Sequence, residues 1–307
     1  MKENRKLREI MQRVKKEVDG ELNRFFAAKR TEAKSVHPAL VELVDQVADV
    51  TLRGGKRIRP FLCRVGYAAA ISDKRQVTSK APRVLLSAML GLELFQTFAL
   101  IHDDIMDADK TRRGGPTIHE QSGVNIAILA GDLVLTWADE QIEKVVRYSS
   151  SDPDLIGGVE KFSTSSNNIH VLALYQQMKE EVIYGQTLDV MRSIGADGIE
   201  KSRADELKTA WYSVVRPLQI GSSLALDSRL RGNDSILQAW ERYGVAVGKL
   251  FQLRDDVLDG AVTEEACAKE AKDLRKQALA ALEPLETSDE VKQLLVDFIQ
   301  FVQSRNS

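Results

Sequence analysis

The chain has 307 residues, 29% charged and 43% hydrophobic, the balance of an ordinary globular protein. A net charge of -2, with basic residues spread along the chain, gives no reason to propose a nucleic-acid partner. The two cysteines, Cys63 and Cys267, have no metal-ligand spacing and the Lys/Glu/Arg-rich N-terminus has no apolar signal core, so a cytoplasmic protein is expected.

Apolar residues at 3–4 spacing (Leu7, Ile10, Met11, Val14, Val18) predict an amphipathic helix over residues 1–26, packing on a bundle or a second subunit. Pro38 precedes a helix carrying Leu40, Leu43, Val44 and Val47. Residues 84–107 read as a long apolar helix. Its run at 84–101 is at the lower edge of a membrane span, but Glu93 and Gln96 interrupt it and acids follow, so no transmembrane segment is expected. A loop at 110–117 leads to a helix at 127–145, and residues 149–166 are polar, a loop with partial helix. Helices are predicted at 171–191, at 205–226 with a kink at Pro217, at 236–259, at 264–282 and at 289–305, with a polar break at 226–234. With no period-2 runs and no short repeat, the fold class is all-α, a single-domain helical bundle over 1–307 with inward-facing sites.

Two helices carry the same acidic pattern. Asp103, Asp104 and Asp107 stand at i, i+1 and i+4, as do Asp255, Asp256 and Asp259, each set after an apolar run. On a helix, i and i+4 share a face one turn apart. Carboxylates so close repel one another and are costly to bury unpaired. One such triplet is commonly a solvated face; two copies ending apolar helices point to hard cations, Mg²⁺ above all, which also retain substrate phosphates. An EF-hand is excluded: the third loop position from Asp103 is Ile105, and the sixth from Asp107 is Arg112 where glycine is needed.

Cations flank these acids. Gly54-Gly55-Lys56-Arg57-Ile58-Arg59-Pro60 places glycines and basic residues at a helix start, which suits an anion. Lys110-Thr111-Arg112-Arg113-Gly114-Gly115 adds adjacent arginines, whose forked guanidinium matches phosphate oxygens. His119, a lone loop histidine, reads as structural. The pattern is that of a diphosphate held by Mg²⁺ between facing helices, with a second diphosphate pocket beside it.

Together with Gly185-Gln186, Asp189, Lys208-Thr209 and Phe251-Gln252-Leu253-Arg254-Asp255-Asp256, these motifs occur in the order found in the trans-prenyl diphosphate synthases (polyprenyl synthetases), which residues 50–260 resemble. The resemblance implies an all-helical fold around a central cavity, a homodimer, and an enzyme joining isopentenyl diphosphate to an allylic diphosphate (dimethylallyl, geranyl or farnesyl). It assigns Asp103, Asp107 and Asp255 as principal Mg²⁺ ligands, with Asp104, Asp256 and Asp259 supporting. Arg112, Lys208, Thr209 and Gln252 would hold the allylic diphosphate; Lys56, Arg59 and Arg113 would hold isopentenyl diphosphate. Asp103, Asp107, Asp255 and Lys208 form the implied catalytic set.

The chain departs from the family pattern in two places. Gln96 stands where the family commonly has histidine; it can still donate to phosphate but cannot be cationic. After Asp259 the chain runs quickly into Glu264-Glu265, so the region beyond about residue 260 reads as shortened. Phe98, five residues before Asp103, lies about 7.5 Å up the helix at ~1.5 Å per residue. With Phe95 it would meet a growing chain, although core packing is the common fate of phenylalanine. The resemblance favours the C20 product, geranylgeranyl diphosphate, then C15 farnesyl diphosphate. Rival readings are a non-catalytic regulatory subunit of a synthase and a terpene cyclase or head-to-head condensing enzyme; the complete acid motifs oppose the first and the paired anion sites the second.

Overall fold

A computed structural model describes residues 3–71, 77, 79–148, 166–225 and 233–304; of the polar stretch expected at 149–166 and the break expected at 226–234, residues 149–165 and 226–232 lie outside them, while 166, 233 and 234 begin helices. The elements run α1 (Glu3–Val36), α2 (Leu40–Leu52), α3 (Ile58–Ala70) and α4 (Arg83–Met106). A hairpin of β1 (Thr111–Arg112) and β2 (Gly115–Pro116) follows, then α5 (Ile118–Ser122), α6 (Val124–Tyr148) and α7 (Ser166–Ser193). Next come α8 (Lys201–Asp205), a π-helical stretch (Glu206–Val215) and α9 (Arg216–Ala225), and the chain closes with α10 (Asn233–Leu258), α11 (Glu264–Leu282) and α12 (Asp289–Ser304). The all-α expectation holds. The loop predicted at 110–117 is tightened into a two-residue antiparallel ladder, Thr111 opposite Pro116 and Arg112 opposite Gly115.

Helix α4 is apolar around most of its circumference, and a helix of that kind is stable only where other helices cover it. By length and composition it could cross a membrane. Here Met89, Leu92, Leu94 and Phe95 are fully buried, and α6 packs along it more extensively than any other element. Helix α1 extends well past the predicted residue 26, because Ala27, Ala28, Ala33 and their charged neighbours favour helix until Pro38 stops it. Its stripe Leu7, Val14, Val18 and Leu22 is fully buried in a core that continues through α12. Helices α3 and α9 cross backbone to backbone: a Cβ on Gly66 would lie 2.2 Å from the Leu218 carbonyl oxygen, and one on Gly221 1.9 Å from that of Cys63.

The kink expected at Pro217 takes a different form. Proline has no N–H to give the preceding turn, and the ten residues before Arg216 widen into i→i+5 hydrogen bonding, closed by the Arg216 N–H to the Trp211 carbonyl. The helix runs on through the proline without a break. At the other end, Gly260 leaves α10 at φ +73, and Thr263 caps α11 by accepting from the Ala266 N–H at 3.2 Å. Two acids, Glu264 and Glu265, fill the first turn of α11, favourable at a positive helix end.

Candidate active site

Both acid clusters occupy the last turn of their helices: α4 ends at Met106 and α10 at Leu258. That end carries the negative pole of the helix dipole, so the acids meet an unfavourable field besides one another. The placement makes sense only where positive charge is supplied. Burial pushes the Asp103 carboxyl up to about 6; Lys208 and Arg112 pull it down, while Asp107 and Asp104 push it further up. Asp107 is exposed just past the helix, its N–H bonded to the Asp103 carbonyl. Asp104 is buried, and its Oδ1 accepts from Arg112 Nε at 2.6 Å and lies 2.5 Å from Nη2, which also reaches Asp109 at 2.7 Å. Its Oδ2 is buried without a hydrogen-bond partner. Asp104 and Arg112 are therefore engaged with each other.

The second cluster is similarly occupied. Asp256 accepts from Lys201 at 2.9 Å and from Gln252 at 3.4 Å, Asp255 is half-buried, and Asp259 is exposed. The π-helical stretch and α7 join the two clusters. Lys208 donates to Asp189 at 2.8 Å while acting electrostatically on Asp103. Burial raises the Asp205 carboxyl; Lys201 opposes that rise, and both Asp189 and Asp256 add to it. A run of charged side chains thus leads from Asp103 through Lys208 and Asp189 to Asp205, where Lys201 stands between Asp205 and Asp256. Its geometry depends on close backbone approach: a Cβ on Gly185 would lie 2.8 Å from Lys208 Cγ, and one on Gly248 2.3 Å from Ala210 Cα. Thr209 lies half-buried next to Lys208. Gln186 donates to Met106 Sδ at 3.7 Å, tying α7 to the end of α4.

The basic loops meet across a short gap. Arg53 donates to the carbonyls of Arg112 (3.1 Å) and Pro116 (3.0 Å), locking the hairpin to the end of α2. Gly54 and Gly55 adopt φ +74 and +88, and the Arg113 guanidinium rests on Gly55, where a Cβ would be 3.2 Å from its central carbon. Burial lowers the Arg113 pKa, Glu93 opposes this, and Arg57, Arg59 and Arg112 lower it further. Arg113, buried and crowded by its arginine neighbours, is suited to meet an anion. Arg59 donates to Ser213 at 2.6 Å and lies 3.9 Å above the Tyr212 ring, while its Nε is buried without a partner. Lys56 turns toward α12, its Nζ 5.9 Å from the Phe301 ring.

Tyr212 sits between the two regions. Burial raises its hydroxyl pKa, and Arg59, Glu93, Asp103 and Arg113 all act on it electrostatically. Its hydroxyl donates to Gln96, and its ring packs edge-on against Phe95 at 5.4 Å. Phe95 also meets Tyr175 (6.0 Å) and Phe98 (5.3 Å), so both candidate chain-length residues belong to one aromatic cluster near the acids.

Sequence reasoning did not single out Tyr212, Lys201, Asp205 or Ser213. Tyr212 lies four residues after Lys208, and Lys201 and Asp205 are themselves an i,i+4 pair, so spacing alone could have drawn attention to them.

A divalent ion fits this donor set. Each cluster offers carboxylate oxygens one turn apart at a negative helix end, and hard cations complete such shells with water and phosphate. Among the described residues no three acidic or histidine side chains already converge as a closed cage.

Comparison with known proteins agrees with the geometry. The model of the polyprenyl synthetase family matches residues 41–305. A short chain isoprenyl diphosphate synthase of Methanocaldococcus jannaschii is 30% identical over 78% of this chain and 65% of its own length. A geranylgeranyl pyrophosphate synthase of Geoglobus acetivorans is 30% identical over 67% of this chain and 56% of its own. The chain spans about three fifths of the length of the relatives it matches. A geranylgeranyl pyrophosphate synthase of Corynebacterium glutamicum, solved with isoprenyl diphosphate and magnesium, superposes with a TM-score of 0.75 at 26% identity, covering 94% of this chain and 97% of that one. A Pyrococcus horikoshii geranylgeranyl pyrophosphate synthetase, 23% identical with a TM-score of 0.73 over 97% of this chain and 98% of its own, shares the fold. This chain belongs to the polyprenyl synthetase family.

Proposed function

We propose that the chain is a short-chain prenyltransferase, joining isopentenyl diphosphate head-to-tail to an allylic diphosphate and releasing diphosphate. The observation that carries this reading is the position of Tyr212, under the influence of both the Asp103 cluster and the Arg59–Arg113 pocket. An acidic site for one diphosphate and a cationic site for another then lie side by side. The names of the relatives favour geranylgeranyl diphosphate (C20) as product, with farnesyl diphosphate (C15) the nearest alternative.

In this reading Lys208, Thr209, Arg112 and Gln252 hold the allylic diphosphate, and Lys56, Arg59, Arg113 and Gln96 hold isopentenyl diphosphate. Asp103, Asp107 and Asp255, with Asp104, Asp256 and Asp259 in support, would hold Mg²⁺, which would supply positive charge to the departing diphosphate. Asp104 acts through Arg112, which it orients. The allylic C–O bond breaks with its electron pair leaving on the diphosphate, and the isopentenyl double bond attacks the allylic carbon. The departing diphosphate then takes the proton lost from the new chain, since no side-chain base stands out among the candidate residues. Phe95, Phe98, Tyr175 and Tyr212 line the region with rings that keep water from the cation.

The cytoplasm and a homodimer are part of the same proposal. The apolar Val124, Ile128 and Leu129, 48%, 42% and 57% exposed, follow one another around α6 and suit a face covered by a second copy. The decisive assay incubates the protein with isopentenyl diphosphate and the C5, C10 or C15 allylic diphosphate, with and without Mg²⁺, and identifies products by mass. Metal-dependent C20 formation is expected; no turnover with any pair would overturn the proposal.

A further inference from the structure

Helix α1 lies entirely before residue 41, where the family match begins. Even so, it reaches the motif that starts α3. The Arg57 guanidinium is fully buried, and each of its nitrogens is taken by a different element. Nε donates to Asp19 Oδ1 of α1 at 2.7 Å, Nη1 to Glu93 of α4, and Nη2 to the Thr51 carbonyl of α2 at 2.8 Å. Such an arginine has no edge left for a ligand. Its backbone is left-handed, φ 52, a conformation unfavourable for a residue with a Cβ and held here by those three anchors.

What Arg57 fixes is its neighbourhood. Its carbonyl accepts the Phe61 N–H at 3.0 Å, an early hydrogen bond of α3, and a Cβ on Gly55 would lie 3.0 Å from its Nη1. The direction in which Lys56 leaves the loop and the angle at which Arg59 enters the helix both follow from where this guanidinium is held. Asp19 is itself set: its second oxygen accepts from Lys15 at 2.7 Å. Two residues earlier, Glu17 docks α1 separately, through Arg64 at 2.5 Å and the Ala81 N–H at 2.9 Å.

We propose that Asp19 is a positioning residue for the isopentenyl diphosphate pocket, acting from outside the family-matched region through Arg57 on Lys56 and Arg59. The inference rests on the reading of that loop as the isopentenyl diphosphate site. Misplacing two cations without removing either weakens the ground-state grip on one substrate and leaves the acid cluster that serves the other untouched.

The test is steady-state kinetics on full-length Asp19→Asn, Asp19→Glu and Glu17→Gln, with separate KM values for the two substrates. In Asp19→Asn the isopentenyl diphosphate KM should rise about tenfold, with kcat and the allylic KM within about twofold of wild type. Asp19→Glu keeps the charge and should show a smaller rise, about threefold. Glu17→Gln should lower the melting temperature without moving the isopentenyl KM. An unmoved KM in both Asp19 variants, an equal rise for both substrates, or a matching KM shift in Glu17→Gln would overturn the inference. Wild-type turnover run alongside separates the two readings: an active wild type with unmoved Asp19 variants faults the Asp19–Arg57 link alone.

Discussion

The hydroxyl of Tyr212 donates a 2.7 Å hydrogen bond to Oε1 of Gln96. Accepting on its oxygen turns the amide nitrogen of Gln96 into the side available to a phosphate. Tyr212→Phe removes only that bond, keeping the ring under Arg59 and against Phe95. A net loss of about 1 kcal/mol corresponds to roughly a fivefold fall in kcat/KM for isopentenyl diphosphate. Steady-state kinetics check this; a change confined to the allylic substrate would remove Gln96 from the isopentenyl site.

Asp103→Ala and Asp255→Ala should each cost about two or more orders of magnitude in rate while the helical circular-dichroism signal stays intact, since each removes charge-stabilising capacity without opening the core. A chelator should abolish wild-type turnover in the same manner, reversed by added Mg²⁺. Near wild-type turnover in either variant would take that aspartate out of the metal role.

Phe98 lies 5.3 Å from Phe95 and 4.8 Å from the His102 ring. Truncation to alanine leaves space about 7.5 Å along α4 from Asp103 and should lengthen the products, read by mass or thin-layer analysis. It should also cost about 3 kcal/mol of stability, measurable as a lower urea midpoint. An unchanged product ladder would show that the ring is only packing.

Gly248→Ala forces a methyl toward Ala210 Cα, 2.3 Å from its ideal position. The backbone of the π-helical stretch must retreat, and Lys208 and Thr209 with it. A loss of about 1–3 kcal/mol is expected from overpacking, together with a reduced kcat. Thermal melting and kinetics on one preparation test the link; a stable variant with full kcat would break it.

The acid triplets were legible because a helix converts i,i+4 spacing into one face, and nothing tertiary had to be known to see it. The helical class was legible for the same reason: the periodicity of α1, α11 and α12 is long and regular, and α4 is a long apolar run. Other features depend on contacts across the bundle. Arg57 sits among three basic residues in sequence, yet Asp19 and Glu93, which hold it, come from helices on either side of the loop. The reach of Asp189 to Lys208 needs the close approach at Gly185, which no local pattern announces. The hairpin at Thr111–Pro116 is too short for a period-2 signal, and the widened turns before Pro217 have the same composition as ordinary helix.

Those widened turns have an evolutionary consequence. A stretch wound with i→i+5 bonds contains more residues than an ordinary helix would need to cover the same distance, and its hydrogen bonds are harder to satisfy well. Dropping one codon between Glu206 and Val215 would let the segment relax into regular geometry, a change that on stability alone is downhill. A deletion between Lys208 and Tyr212 would leave Tyr212 three residues from Lys208 instead of four, displaced from Gln96, and Ser213 displaced from Arg59. In its wide winding the same short stretch reaches Asp189 through Lys208 and Arg59 through Ser213, two contacts that the shorter, tidier helix would have to choose between.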